Sequence, residues 1–276
     1  MARSSRARLV PKNRLSTLRG NIAHDLNETP ADPDRRGSAS TPRSLRAVGA
    51  RGPHNRPDVV ALVGAFLTVW QDGGEVASVE ECSRRLNALS VAEIVCVRGN
   101  HEDANWVDFA PGRIRSLNGR ACAIGPLVVV GLLCLLGDAS WFLGPEAAAS
   151  PDVSDWFPKI VQKYGAAART LWLAHEPPNL TRLSVRSGPL QGNAEWRAAI
   201  EQYSPLAVVS GHDHETPWQT GHWHDRIDHT VCLNAGQKRD FLQYLLIDAT
   251  FASAAIALPT ALTVRHYPTK EILEMA

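Results

Sequence analysis

Histidines follow three apolar segments of the sequence, each at the point where the segment ends. The motifs are Asn100-His101-Glu102 after EIVCVRG, His175-Glu176 after TLWLA, and His212-Asp213-His214 after LAVVSG. Imidazole nitrogens and amide oxygens are suitable ligands for Mn, Fe, Zn and Ni. One histidine after a strand is ordinarily a hydrogen-bonded loop residue, whereas three such loops in succession indicate a shared metal site. Because parallel strands bring their carboxyl-terminal loops to the same edge of a sheet, we expect these residues to converge, although 74 and 37 positions separate the histidines.

The segments around the first motif have the pattern of a parallel βαβ unit. Residues 58–64 (DVVALVG) form a short, continuously apolar and β-branched run that ends in glycine, which is typical of a buried strand. Ser78 and Glu81 form a capping box, which predicts a helix that extends to about Leu89. Residues 93–97 (EIVCV) predict the next strand. A strand, a helix and a second strand in this order favour a parallel pair.

Short apolar runs predict further strands in the rest of the chain. They cover residues 121–124, 127–133, 170–174, 206–210, 230–233 and 241–247, and a helix is predicted over residues 193–203. This mixture is typical of a layered α/β domain whose sheets are covered by helices.

The three histidine motifs resemble those of the calcineurin-like metallophosphoesterases. Arg98 to Glu102 is similar to the family's GNHE motif, Ala174-His175-Glu176 to its single-histidine motif, and Gly211 to His214 to its GHxH motif. Asn234-Ala235-Gly236 is similar to the Asn-x-Gly turn that often follows, and the order agrees from about Pro57 to Ile247. The resemblance implies an α/β fold in a four-layer arrangement, a β-sandwich flanked by helices. It also implies hydrolysis of phosphoesters by a metal-activated hydroxide at a two-metal centre.

Roles for individual residues follow from the resemblance alone. Asn100, His175 and His212 would bind one metal, and His214 would bind the other. His101 would protonate the leaving oxygen or steady the phosphoryl group. The implied cofactor is one or two divalent transition metal ions (Mn, Fe, Zn or Ni), and the implied partner is a phosphoester substrate.

Two motifs of the family are absent from the sequence. The family's Gly-Asp, whose carboxylate bridges both metals, is replaced by Gly64-Ala65, and no Asp-x-His occurs between Met1 and Ala65. The nearest candidates are His24-Asp25, which has the reverse order, and His54, which lies eleven residues before Ala65. With few carboxylates to offset two divalent ions, we expect the second site to be largely empty and the first to hold an ion such as Zn.

These observations predict a metal-dependent phosphoesterase that acts on a phosphomonoester or phosphodiester with an impaired dimetal site. The alternative is a non-catalytic member of the family that binds a phosphorylated ligand or a protein partner.

A second cluster of histidines, His222, His224 and His229, follows the GHxH motif. We interpret it as a half-buried hairpin in which His222 and His224 border the pocket and contact the substrate. A further metal site is the alternative.

The charge distribution separates a basic arm (residues 1–56) from a domain over residues 57–267 and a tail over residues 268–276. The arm has a net charge of about +8, and the chain as a whole has a net charge of +1. The arm is rich in Pro, Gly, Ser and Arg, which predicts disorder. It lacks interleaved aromatic residues, which argues against base stacking with nucleic acid. A solvated or wrongly assigned segment and an organelle-targeting sequence remain as alternatives.

The remaining composition favours a cytoplasmic protein. The longest apolar run, residues 126–137, is shorter than the ~20 residues that a membrane-spanning helix needs. Five cysteines are widely spaced without a CxxC pair, as expected for reduced core thiols. The sequence does not indicate an oligomeric state.

Overall fold

The computed structural model describes residues 47–49, 58–64, 84, 86–89, 91, 93–99, 114–132, 153–165, 167–184, 192–237, 243–251 and 259–275. Within these ranges the chain forms two β-sheets, three α-helices and a short 3₁₀ turn at Ala167–Arg169. The helices are α1 (Val153–Tyr164), α2 (Ala194–Tyr203) and α3 (Thr216–Thr220). None of the helices in the described part of the chain is long and apolar enough to span a membrane.

The first sheet contains seven strands of the described chain. They are β1 (Ala47–Gly49), β2 (Val59–Val63), β3 (Glu93–Val97), β4 (Ile114–Ser116), β11 (Tyr244–Phe251), β12 (Pro259–Tyr267) and β13 (Ile272–Met275). Their order across the sheet is β13-β12-β11-β1-β2-β3-β4.

The second sheet contains six strands of the same described ranges. They are β5 (Arg120–Ile124), β6 (Leu127–Gly131), β7 (Thr170–Leu173), β8 (Ala207–Ser210), β9 (His224–Ile227) and β10 (Thr230–Asn234). Their order is β5-β6-β7-β8-β10-β9, in which β6, β7, β8 and β10 run parallel.

The parallel strand pair predicted for the βαβ unit is confirmed, whereas the predicted capping box at Ser78 and Glu81 lies outside the described residues. Strands β2 and β3 pair in parallel, from Val59 opposite Glu93 to Val63 opposite Val97. Arg84 and Leu86 in the intervening segment are helical, and Leu86 is fully buried. All five residues of β2 are buried, as the continuous apolar run requires.

The main core lies between the two sheets, and a second core lies outside the second sheet. Alternate residues of β2 and β7, such as Ala61 and Leu171, face each other in the first core. Trp172 points the other way and packs against α1 and α2, with its ring centroid 4.7 Å from that of Phe157. The predicted fold class, an α/β fold with a β-sandwich flanked by helices, is confirmed: both sheets are mixed, and among the described helices α1 and α2 pack on the outer face of the second sheet.

Two strands lie outside the domain boundaries that the sequence predicted. Strand β1 falls within the basic arm, and β13 falls within the predicted tail, yet both are paired into the first sheet. Each has only three or four residues, which is too short for hydrophobic periodicity to show. Strand β1 runs antiparallel to β2, with Val48 opposite Ala61 and Gly49 opposite Val60.

The cysteines of the described residues are consistent with core thiols. Cys96, Cys122 and Cys232 are all buried. Burial raises the pKa of the Cys232 thiol to about 12, so this sulfur stays protonated and unreactive at neutral pH.

Candidate metal centre

Ends of strands from both sheets meet at one edge of the sandwich. The His175 ring, just after β7, lies with its Nδ1 2.8 Å from the carbonyl oxygen of Val63 at the end of β2. A Cβ atom added to Gly64 would lie 2.5 Å from the backbone nitrogen of Gly99, which follows β3. The strand pattern predicted that the loops converge at one edge of a single sheet. The loops instead converge because the two sheets of the sandwich end together.

The hydrogen bond to Val63 determines the tautomer of His175. A carbonyl oxygen can only accept, so Nδ1 carries the proton and donates it. The other ring nitrogen, Nε2, therefore carries the lone pair that a metal ligand needs. His175 is fully buried, so this ring orientation is held firmly.

His212 lies beside His175 in a conformation suited to a tight loop. The centroids of the two rings are 5.1 Å apart, with an interplanar angle of 68°. Two imidazoles that share one ion at ~2.1 Å have ring centroids about 5 Å apart, so this pair fits a shared metal. The backbone of His212 has φ +50°, in the left-handed region, and the amide of Gly211 donates to the carbonyl of His175 at 2.9 Å. Such a conformation costs energy and is typical of functional loops.

The loop Gly211–His214, here called the GHDH loop, is held by the turn Asn234–Gln237, here called the anchor turn. The side-chain Nδ2 of Asn234 donates to the carbonyl of Asp213 at 2.9 Å, and its Oδ1 accepts from the amide of Gly236 at 2.9 Å. The amide of Gln237 donates to the carbonyl of His214 at 2.8 Å. The Asn-x-Gly motif therefore anchors the loop that carries His212 and His214.

Asp213 has a structural partner within the GHDH loop. Its side chain is buried, and Oδ1 accepts from the amide of Thr216 at 3.1 Å at the start of α3. This bond satisfies one of the unpaired N–H groups at the helix start.

Three residues of the sequence-based site lie outside the described residues: Asn100, His101 and Ala65. The residues just before the first two are described. Gly99 packs against Gly64, and the amide of Arg98 donates to Oδ1 of Asn118 at 2.8 Å. The polypeptide thus enters the GNHE motif at the edge where His175 and His212 lie. Among the described residues, no group of three or more His, Cys, Asp or Glu could hold a metal ion.

His222 and His224 lie at the hairpin formed by β9 and β10, as predicted, and both are half-buried. Burial lowers the pKa of His224, and the nearby Arg182 guanidinium lowers it further. Arg182 also contacts Asp225, its amide donating to Oδ2 at 2.8 Å. Contact of these histidines with a substrate stays a prediction.

Two buried residues near the site carried no role in the sequence analysis. Glu176 follows His175 in its motif, and its Oε1 accepts from Nδ2 of Asn193 at 3.2 Å. Asn193 also caps α2 by accepting from the amide of Trp196 at 2.9 Å, so this helix is tied to the His175 loop. His266, in β12, contacts the anchor turn through Nε2, which lies 3.1 Å from the carbonyl of Ala235. No motif marks His266, so only its burial between polar partners reveals it.

Stability is expected to fall as the pH is lowered below about 6.5. Burial lowers the pKa of His266 from its ordinary value of 6.5, so the folded protein keeps the ring neutral while the unfolded chain takes up a proton. The stabilisation is thus fully present above pH 6.5 and is lost on acidification towards the lowered pKa, at up to about 1.4 kcal/mol per pH unit. Urea unfolding at several pH values measures this slope. His266→Phe should make the slope shallower, and an unchanged slope would contradict the assignment.

One protein family matches most of this chain. The profile of the calcineurin-like phosphoesterase family matches residues 37–216, well over half of the chain. A solved structure with 15% identity covers 71% of this chain and 70% of its own, with a TM-score of 0.43. The protein TT1561 of Thermus thermophilus has 14% identity, covers 79% of this chain and 86% of its own, and also has a TM-score of 0.43. No curated protein matched the chain. The chain therefore belongs to the calcineurin-like phosphoesterases, a family of metal-dependent hydrolases.

Proposed function

We propose that this protein is a metal-dependent phosphoesterase that hydrolyses a phosphomonoester or phosphodiester with an impaired dimetal site. The observation that supports the proposal is the bond from His175 Nδ1 to the carbonyl of Val63, which places the ring's lone pair on Nε2, the form that a metal ligand requires, with the His212 ring 5.1 Å away.

The donor set of the first site fits a borderline divalent ion. Asn100, His175 and His212 supply an amide oxygen and imidazole nitrogens, which suit Zn, Mn, Fe or Ni. When bound, the ion supplies a water of lowered pKa and a Lewis acid for a phosphoryl oxygen. In this proposal His101 donates a proton to the leaving oxygen, and His222 and His224 contact the substrate.

The direction of β1 supports an impaired second site. Because β1 is antiparallel to β2, the chain that follows Gly49 leaves the sheet at the edge opposite Gly64. The end of β1 therefore does not point toward the edge with Gly64 and His175, where the resemblance would place the Asp-x-His motif. Ala65, in place of the bridging aspartate, removes a further anionic ligand.

The proposal is tested by hydrolysis of bis(p-nitrophenyl) phosphate and p-nitrophenyl phosphate after loading with Mn or Zn. We expect a rate above that of His101→Ala on at least one of the two substrates. Equal rates for the two proteins would refute catalysis. They would favour the alternative of a binding protein for phosphorylated ligands, which Ala65 and the direction of β1 also support.

Restoring the carboxylate should raise activity. We expect Ala65→Asp to increase the rate of hydrolysis by at least about tenfold. Even a residue that only hydrogen-bonds to a metal ligand commonly changes metal affinity or activity 10- to 100-fold. Ala65→Asn is the matched control, because it has nearly the same shape without the charge. Measurement of rate against metal concentration for both variants decides the question. An equal gain from Asp and Asn would contradict a missing anionic ligand.

A further inference from the structure

His266 connects the first sheet to the anchor turn of the second. It lies in β12 with 1% of its surface exposed, and its Nε2 is 3.1 Å from the carbonyl of Ala235, which follows β10. The carbonyl can only accept, so Nε2 carries the proton. Nδ1 then accepts from the hydroxyl of Thr269 at 2.9 Å. A neutral imidazole with its proton on Nε2 therefore makes both hydrogen bonds. Burial lowers the pKa of His266, which also favours the neutral ring.

The carbonyl that His266 binds lies between the two bonds that hold the GHDH loop. Asn234, the residue before Ala235, binds the carbonyl of Asp213 through its side chain. Gln237, two residues after Ala235, binds the carbonyl of His214 through its amide. A displacement of Ala235 would therefore move both contacts to the loop.

The ring of His266 is itself held in place. It stacks on Trp223 with centroids 5.2 Å apart and an angle of 10° between the planes. The indole N–H of Trp223 donates to the carboxylate of Glu271, whose carbonyl accepts from the amide of His266 at 3.0 Å. The carbonyl of Trp223 accepts from the amide of Asn234 at 2.9 Å, which closes the set of contacts on the anchor turn. His266, Trp223 and Asn234 are buried, whereas Thr269 and Glu271 are exposed, so the network fixes the buried ring from the surface of the sheet.

We propose that His266 is a positioning residue that holds the GHDH loop, through the carbonyl of Ala235, in the arrangement that its histidines need to bind metal. The role in metal binding rests on the proposed function, whereas the role in holding the loop does not.

Two substitutions separate the hydrogen bond from the packing. His266→Phe keeps a ring to stack on Trp223 and loses the donor. His266→Gln loses the ring and keeps an amide that can donate to Ala235. Hydrogen exchange of the Gln237 amide reports on the loop, and the amide of Leu206 is the control. Leu206 donates to the carbonyl of Thr170 at 3.0 Å, at the opposite end of β7 and β8.

In His266→Phe we expect the Gln237 amide to exchange at least tenfold faster than in the wild type. In His266→Gln its exchange rate should stay within about threefold of the wild-type rate. The exchange rate of the Leu206 amide should change less than threefold in both variants. Equal acceleration of Gln237 and Leu206 would mean general destabilisation and would overturn the proposal. An unchanged Gln237 rate in His266→Phe would also overturn it. If His266→Phe does not fold, His266→Asn, whose shorter amide cannot occupy the Nε2 position, replaces it with the same expected result.

Titration with Zn²⁺ against a competing chelator tests the consequence for the site. His266→Phe should bind the ion about 10- to 100-fold more weakly, and His266→Gln should recover most of the affinity. If the wild type binds Zn²⁺ and His266→Phe binds it equally well, the positioning role is refuted. If the wild type binds none, the proposed function fails, while the exchange rates still decide whether His266 holds the loop.

Discussion

His175→Ala is expected to remove the bound metal and to lower phosphoesterase activity at least about a hundredfold. Loss of a residue that only hydrogen-bonds to a metal ligand commonly lowers metal affinity or activity 10- to 100-fold. His175 would bind the metal directly, so its loss should have a larger effect. Elemental mass spectrometry of protein purified without chelator measures the first effect. We expect the content to fall from roughly one transition metal ion per chain to near zero.

Two further variants show whether the loss comes from the ligand atom or from collapse of the loop. His175→Asn keeps an amide near the position of Nδ1, which can still donate to Val63, and lacks any atom at Nε2. This variant should be more stable than His175→Ala and should bind as little metal as His175→Ala does. His229→Ala, at the exposed turn between β9 and β10, should change neither quantity. Metal retained in both His175 variants would place the ion elsewhere.

Gly64→Ala is expected to destabilise the protein by about 2 to 5 kcal/mol and to disturb the same site. Gly64 has φ +82°, and an added Cβ would lie 2.6 Å from Nδ1 of His175 and 2.5 Å from the nitrogen of Gly99. The left-handed backbone costs an L-residue about 1–2 kcal/mol, and overpacking adds about 1–3 kcal/mol. Urea unfolding measures the free energy, and chelator competition measures the accompanying loss of metal affinity.

Gly221→Ala is the matched control for Gly64→Ala. Gly221 has φ +76°, but an added Cβ would meet no atom within 4 Å. This variant should lose only the backbone contribution, about 1–2 kcal/mol, and keep its metal. The difference between the two variants measures the steric clash with Gly99 and His175 together. Equal losses from the two substitutions would show that the close packing of Gly64 against these two residues does not contribute.

Some elements escaped the sequence analysis for identifiable reasons. Helix α1 contains Pro158, which argues against a helix when only local pattern is considered. Strand β12 has the alternation of a half-buried strand, with Leu262, Val264 and His266 buried between half-exposed neighbours. This signal is present in the sequence but is weak, because the run contains Arg265 and His266 and lacks a continuous apolar stretch.

Features that depend on neighbouring residues could be predicted from the amino-acid sequence. Continuous apolar runs predicted strands β2, β3, β7 and β8. The histidine motifs were found in the residues that directly follow three of these strands. The residue that follows Gly64 after β2 showed that alanine replaces the family's aspartate at position 65. These features are local, because strand formation and the chemistry of a side chain depend on residues a few positions apart.

The way in which these parts meet is visible only in three dimensions. The histidine loops belong to two different sheets, and β1 runs antiparallel to β2. The Nε2 atom of His175 carries the lone pair because Nδ1 donates to the carbonyl of Val63. His266 contacts the anchor turn from the other sheet. Val63 and His175 are 112 residues apart in the chain, and Ala235 and His266 are 31 apart. Such contacts arise from the packing of whole sheets, whose energy is distributed over the core and is not encoded in any short segment.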